Sequence, residues 1–178
     1  IIFFFIIILP RILFILFFPE YGGDYEIYTT VAKNILNGCG VSLSDPLSEK
    51  CIPHFGGNHG PGYPLFISIG WLIFNNSDTA IRIMQSIIFS ISCLWLLKSI
   101  YMLTKNKNTM IIIGLILAFS PLLIAWPRYL QTETLSLAAT IYLIAEIIIS
   151  LSIKRIRIIP IGLALIFATW IRLDNVFL

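Results

Sequence analysis

Charge is scarce in this chain: of 178 residues only 12 are Lys or Arg and 9 are Asp or Glu, 12% together, with two histidines besides. A soluble domain covers its surface with roughly twice that share of charge, so the scarcity excludes an ordinary soluble fold. The net charge of +3 comes from a few scattered basic residues and does not suggest nucleic acid as a partner. Cysteine is scarce as well, and its three positions lack zinc-ligand spacing. The first apolar run, "IIFFFIIILPRILFILFF", lacks a small-residue cleavage site and therefore reads as an uncleaved anchor rather than a signal peptide. Because the chain begins with Ile and stops at "IRLDNVFL" directly after an apolar segment, the expectation is a fragment whose carboxy-terminal region is missing.

What is present in quantity is apolar surface. With 58% hydrophobic residues, a mean hydropathy of +0.92 and repeated runs near the length of a bilayer crossing, the chain reads as all-α, a polytopic helical membrane protein. Five stretches are candidate crossings: 1–18, 78–103, 109–126, 132–151 and 157–173. A sixth, "PGYPLFISIGWLIF", is interrupted by Pro64 and Gly70 and has 14 residues. At about 1.5 Å per residue it reaches only ~21 Å, short of the ~30 Å hydrocarbon core, so it is expected to lie along or dip into the interface. The domain reading is a first span (1–18), an external loop with interfacial helices (19–77) and four further spans (78–178).

Basic residues orient these spans. "KNKN" (Lys105 to Asn108) and "KRIR" (Lys154 to Arg157) are separated by two crossings and so share a face, and short basic loops collect on the cytoplasmic side. The 19–77 loop and the turn around Arg128 then face the other way, bringing Asp24, His54, His59, Arg82, Arg128 and Glu133 to one membrane face. The expected location is the cell (inner) membrane, with the active site facing outside or the periplasm.

The 19–77 loop carries its own order. From Asp24 to Gly38 the apolar residues Ile27, Tyr28, Val31, Ala32, Ile35 and Leu36 recur at helical spacing, which predicts an interfacial amphipathic helix. Asp24 stands where an N-cap would, after a Gly22-Gly23 pair that reads as a flexible hinge, and Gly38 stands where a helix stops. Residues 39–64 are turn-rich and too long for an idle connection, which suggests a binding site. Cys39 and Cys51 share this loop and could pair in an oxidising compartment, whereas Cys93 should be buried in a span. Arg11 lies inside the first span, so it should pair within the bundle or reach a lipid phosphate. Glu146 is expected to reach the interface beside "KRIR". Taken singly, Asp24 could merely cap, Glu133 could complement a helix dipole, Arg82 and Arg128 could anchor helix ends, and Tyr25 and Tyr28 could be interfacial anchors.

Their order is more informative than any one of them. A hydrophobic anchor is followed by Gly-Asp-Tyr with a second Tyr four residues after the Asp, then "AKNILNG", "PGYPLF", "AIRIMQSI", "SPLLIAWPRYLQTETLS" and "TWIRLDNVFL". This arrangement, over essentially the whole chain, resembles the amino-terminal part of a GT-C superfamily membrane glycosyltransferase, of the group that includes dolichyl-phosphate-mannose-protein mannosyltransferases and lipid A aminoarabinose transferases. The resemblance implies transfer of a sugar from a polyprenyl-phosphate donor to an acceptor hydroxyl on a protein, lipid or glycan, with inversion at the anomeric carbon. It places Asp24 as the catalytic base or a metal ligand. It makes Arg128, Arg82 and a histidine the candidates for the leaving lipid phosphate, Glu133 the candidate for acceptor binding, and Tyr28 a further substrate contact. Where some relatives have an acidic-basic pair before the Pro-rich stretch, this chain has "GNHG", so His59 would have to stand in for it. No cofactor is demanded, although Asp24, His54, His59 and Glu133 could converge on a divalent ion. A transporter or lipid flippase would account for the spans equally well, but it predicts charges or broken helices near mid-membrane, and apart from Arg11 the spans carry little of either. A non-catalytic scaffold would leave Asp24 as a cap alone.

Overall fold

The computed structural model describes residues 2–20, 22–43, 51 and 60–172, so His54 and His59 lie outside the described residues. The helices run α1 (Ile2–Phe17), α2 (Tyr25–Leu36), α3 (Gly62–Ile73), α4 (Asp78–Thr104), α5 (Lys107–Phe119), α6 (Pro121–Ala125), a 3-10 turn (Trp126–Arg128), α7 (Glu133–Ser152) and α8 (Ile158–Ile171). No strand occurs among the described residues, and the all-α membrane architecture holds.

Two of these helices, α4 with 27 residues and α7 with 20, are long and apolar enough to cross a bilayer. The candidate crossing at 109–126 is a bent pair, α5 turning by 52° into α6 and the 3-10 turn. The reason is Pro121: it donates no backbone hydrogen bond, and it drives Ser120 out of helical geometry to φ −62°, ψ 119°. α1 and α8 are apolar but have 16 and 14 residues, and α3 has 12. At 1.5 Å per residue α3 is about 18 Å long, too short to span, and its Ile69, Leu72 and Ile73 are exposed, as suits a helix in contact with lipid.

α4 is the central element. It packs most extensively along α7, and also against α1, α5 and α3, while α2 lies on α3 and α8 on α7. Small residues, Ser86, Ser90 and Cys93 of α4 and Ala138 and Ala145 of α7, are buried and allow close helix approach. The Ser86 and Ser90 hydroxyls donate back to the Arg82 and Ser86 carbonyls at 2.9 and 2.8 Å, so neither is left unsatisfied. Lys105 and Lys154 close the α4–α5 and α7–α8 turns in left-handed conformation. Both basic turns therefore sit at one end of the bundle, and α2, α3 and the 126–132 turn sit at the other.

Arg11 explains how the Pro121 break is tolerated. Its side chain is fully buried, donates to the Leu117 carbonyl at 2.7 Å and to the Ile7 carbonyl, and lies 4.7 Å from the Phe89 ring. Leu117 is four residues before Pro121, so its carbonyl has lost its helical donor, and Arg11 supplies one. Of the two roles expected for Arg11, pairing inside the bundle is the one found. Glu146, expected at the interface, is instead fully buried: Arg157 folds in to it at 2.7 Å and the Trp95 indole donates to it at 2.7 Å.

Replacing Arg11 by Met should cost about 1–3 kcal/mol by orphaning a buried carbonyl. In a Pro121→Ala background, where residue 121 regains its N–H, the same change should cost measurably less. Thermal unfolding of the four proteins in one detergent checks this coupling, and strict additivity would contradict it.

Candidate active site

The end of the bundle that carries α2 and α3 gathers most of the polar groups singled out in the sequence. α2 starts at Tyr25 with Asp24 in the N-cap position, and its first turn closes through the Tyr28 amide donating to the Asp24 carbonyl at 3.1 Å. The Asp24 side chain, however, makes no capping hydrogen bond. The helix ends as expected at Gly38: its φ is +83°, its amide donates to Ile35, and the Cys39 amide donates to Asn34 at 2.8 Å, a left-handed stop that spends the last carbonyls. Beyond it Cys39 and Cys51 are joined by a disulfide, and the buried Asn34 amide holds the Ser42 carbonyl at 2.7 Å.

The Gly22-Gly23 pair is not a loose hinge. The Gln131 amide donates to the Gly22 carbonyl at 3.1 Å, Gly23 has φ +67°, and a Cβ there would fall 1.7 Å from Gln131 Nε2. Only glycine meets both conditions, so the segment leading to Asp24 is tied to the turn that leads to Glu133.

Beneath Asp24 the packing is aromatic and well satisfied. Tyr28 is buried, meets Tyr63 edge to face at 5.0 Å between centroids, and is hydrogen-bonded to Thr132. Tyr63 in turn donates to Gln85 Oε1 at 3.0 Å, and Gln85 Nε2 donates to the Pro127 and Tyr129 carbonyls at 2.8 and 2.7 Å. Gln85 is fully buried and thereby ties α3, α4 and the 126–132 turn together. Asp78, in the first turn of α4, accepts from the Tyr25 hydroxyl at 2.7 Å and the Trp71 indole at 3.0 Å, which joins α2 and α3 to α4.

The charged residues divide into those that tie the chain and those that face the site. Arg82, expected near the interface, is fully buried and donates to the Glu20 carbonyl at 3.0 Å, so it secures the α1–α2 connection. Arg128 lies 3.4 Å from the Glu20 carboxylate, donates to the Tyr129 hydroxyl at 2.6 Å and sits over the Phe14 and Tyr129 rings. Glu133 accepts from Arg172 at 3.0 Å through one oxygen, while its Oε2 is buried with no hydrogen-bond partner among the described residues. Burial pushes the Tyr28 hydroxyl up to about 12, with the neighbouring Asp24 and Glu133 carboxylates adding to the rise. Asp24, Tyr28, Glu133 and Arg172 are thus electrostatic neighbours. His59 lies outside the described residues, and among the described residues no group of three His, Cys, Asp or Glu could hold a metal ion.

Three residues of this end escaped the sequence reading: Asp78, Gln85 and Arg172. A glutamine three residues after an arginine in an otherwise apolar span was the available signal for Gln85, since a buried amide is retained only where it is satisfied. Asp78 and Arg172 offered none, because Tyr25 lies 53 residues from Asp78 and Glu133 lies 39 from Arg172.

A family model described as dolichyl-phosphate-mannose-protein mannosyltransferase matches residues 58–175, well over half of the chain. His59, Arg82, Arg128 and Glu133 fall within that match, and Asp24 and Tyr28 precede it. No curated protein and no solved structure matches the chain.

Gln85→Leu orphans three buried groups at once and should destabilise by several kcal/mol, about 1–3 for each orphan, which denaturant unfolding in detergent would register. A second expectation concerns alkaline pH. The folded-state value of Tyr28 lies near 12 against an ordinary 10, so its contribution is intact below pH 10 and is lost between about pH 10 and 12, when the unfolded chain ionises first. Tyr28→Phe should flatten the decline of stability across that window, and an unchanged alkaline limb would contradict it.

Proposed function

We propose, for a chain that belongs to the dolichyl-phosphate-mannose-protein mannosyltransferase family, that the cluster around Asp24 transfers a sugar from a polyprenyl-phosphate donor to an acceptor hydroxyl. Family membership makes it a membrane glycosyltransferase of the GT-C kind. The observation that carries the assignment to Asp24 is that this residue occupies a helix N-cap without using its carboxylate as a cap. An Asp retained only for capping would accept a hydrogen bond from the first-turn amides.

Asp24 takes the proton of the acceptor hydroxyl, whose oxygen attacks the anomeric carbon from the face opposite the phosphate. The new C–O bond forms as the bond to the phosphate oxygen breaks, which inverts the configuration and leaves the lipid phosphate with an added negative charge. Arg128, partly exposed at the end of α1, is the cation best placed to meet that charge, and His59 is a further candidate. Arg82 contributes by holding the Glu20 carbonyl rather than by reaching the phosphate. The Oε2 of Glu133, without a hydrogen-bond partner among the described residues, offers an acceptor to a neighbouring hydroxyl of the acceptor molecule, and Tyr28 is an electrostatic neighbour of both carboxylates. Two independent features support an extracytoplasmic site: the Cys39–Cys51 disulfide on this end of the bundle, and the basic turns at Lys105 and Lys154 on the other. The bend at Pro121, a feature a transporter would share, is accounted for by the Arg11 hydrogen bond to Leu117 and calls for no ion path.

In the intact protein, Asp24→Asn should lower transfer from a polyprenyl-phosphate sugar by about 10²–10⁴-fold. The melting temperature should change far less than the activity, because the isosteric amide loses no capping bond and keeps the hydrogen-bonding capacity of the side chain. Retained activity, or loss of activity that merely tracks unfolding, would remove Asp24 from the proposed role.

A further inference from the structure

A cleft of about 380 Å³ runs along α2 between that helix and the α3–α4 turn. Its walls include Tyr25, Lys33 and Asn37 from α2, and Trp71, Asn76 and Asp78 from α3 and the start of α4. Tyr25, the residue after Asp24, and Asn37, just past the end of the 12-residue helix, both line it, so the cleft follows α2 for its length of about 18 Å and begins one residue from the proposed base.

The lining chemistry narrows the occupant. Lys33 and Asp78 bring one charge of each sign, and a carboxylate on the wall disfavours an anionic ligand such as a phosphate or an acidic headgroup. Asn37 and Asn76 are exposed and each offers both a donor and an acceptor, with no side-chain hydrogen bond to another described residue. Each oxygen of Asp78 receives one protein hydrogen bond, from Tyr25 or Trp71, and keeps acceptor capacity for a second. Among the cleft-lining residues only Leu36 is aliphatic, which is too little to hold an acyl chain. Groups that donate and accept in equal measure, beside two aromatic residues and with no net charge, suit a neutral polyhydroxylated chain.

We propose that this cleft is the acceptor groove and that the acceptor is a neutral glycan, laid along α2 with its terminal hydroxyl directed to Asp24. This deepens the transferase reading and rests on it for the reaction, but not for the binding. An extended peptide with Ser or Thr is the competing occupant. It would need apolar side-chain pockets or a row of free backbone groups, and the helical walls of this cleft offer neither.

The test uses the intact protein in detergent with two probes, mannotriose and a Ser/Thr-rich peptide, whose binding is read by saturation-transfer NMR and titration calorimetry. Asn37→Ala with Asn76→Gly removes both amides, the glycine suiting the left-handed backbone at residue 76, where φ is +58°. That double variant should bind mannotriose about tenfold or more weakly, while Asp24→Asn binds it as the parent does and fails only in transfer. Equal mannotriose binding by the parent and the double variant would overturn the proposal, as would binding of the peptide in its place. Transfer by Asp24→Asn would defeat the catalytic reading and leave the groove standing, so the two failures are separable.

Discussion

Gln85 is a single amide buried among apolar helices, and it uses every hydrogen-bonding position that the surroundings can satisfy. One oxygen accepts from Tyr63, and the two N–H groups go to the carbonyls of Pro127 and Tyr129. In a medium without water those carbonyls would otherwise be costly, so the 126–132 turn can be irregular only where Gln85 reaches it. The path from there to the chemistry is short. The turn places Gln131 against Gly22 and Gly23, and it delivers Thr132 to Tyr28 and Glu133 to Arg172. Without that amide, α3, α4 and the start of α7 would lack their common tie, and the two carboxylates of the site would have no fixed relation.

The same rule, that each polar group in the bundle must find a partner, explains the Pro121 break. A proline inside an apolar segment removes a donor and bends the chain, and Arg11 from a helix more than a hundred residues earlier satisfies the Leu117 carbonyl thereby exposed. At the opposite end Glu146 is buried and answered by Arg157 and Trp95. Such pairs add little net stability, since desolvation offsets most of the attraction, but breaking one leaves an uncompensated charge and is costly. Their effect is to make one arrangement of α1, α4, α5 and α7 far better satisfied than any other.

Charge at the functional end is distributed differently. Arg82 is buried and holds a backbone carbonyl, and Arg128 is shared between Glu20 and aromatic rings. The Asp24 carboxylate does not cap its helix, and one Glu133 oxygen has no hydrogen-bond partner among the described residues. The proposed transfer brings a lipid-borne group and a hydrophilic acceptor together at the boundary of the bilayer. A helix lying on the bundle end, with acidic groups at its start and a cleft lined by aromatic and amide side chains along its side, is suited to that geometry.

Much of this was legible in the linear sequence. The extents of α4 and α7 follow from runs of apolar residues bounded by Ser77, Asp78 and the basic turns, and the stop of α2 follows from Gly38, because these are local effects of hydropathy and backbone freedom. The shared end for Asp24, Arg82, Arg128 and Glu133 follows from counting crossings. What remained hidden depended on partners distant in sequence. Gly22-Gly23 looks flexible until Gln131 is seen against it, and Glu146 looks interfacial until Arg157 turns inward. Asp78 is an ordinary first-turn acid until Tyr25 and Trp71 converge on it. Composition and periodicity determine which segments are helical and which end of each meets water. Which buried polar group answers which other is decided only when the helices pack, because that pairing depends on distances that no local pattern encodes.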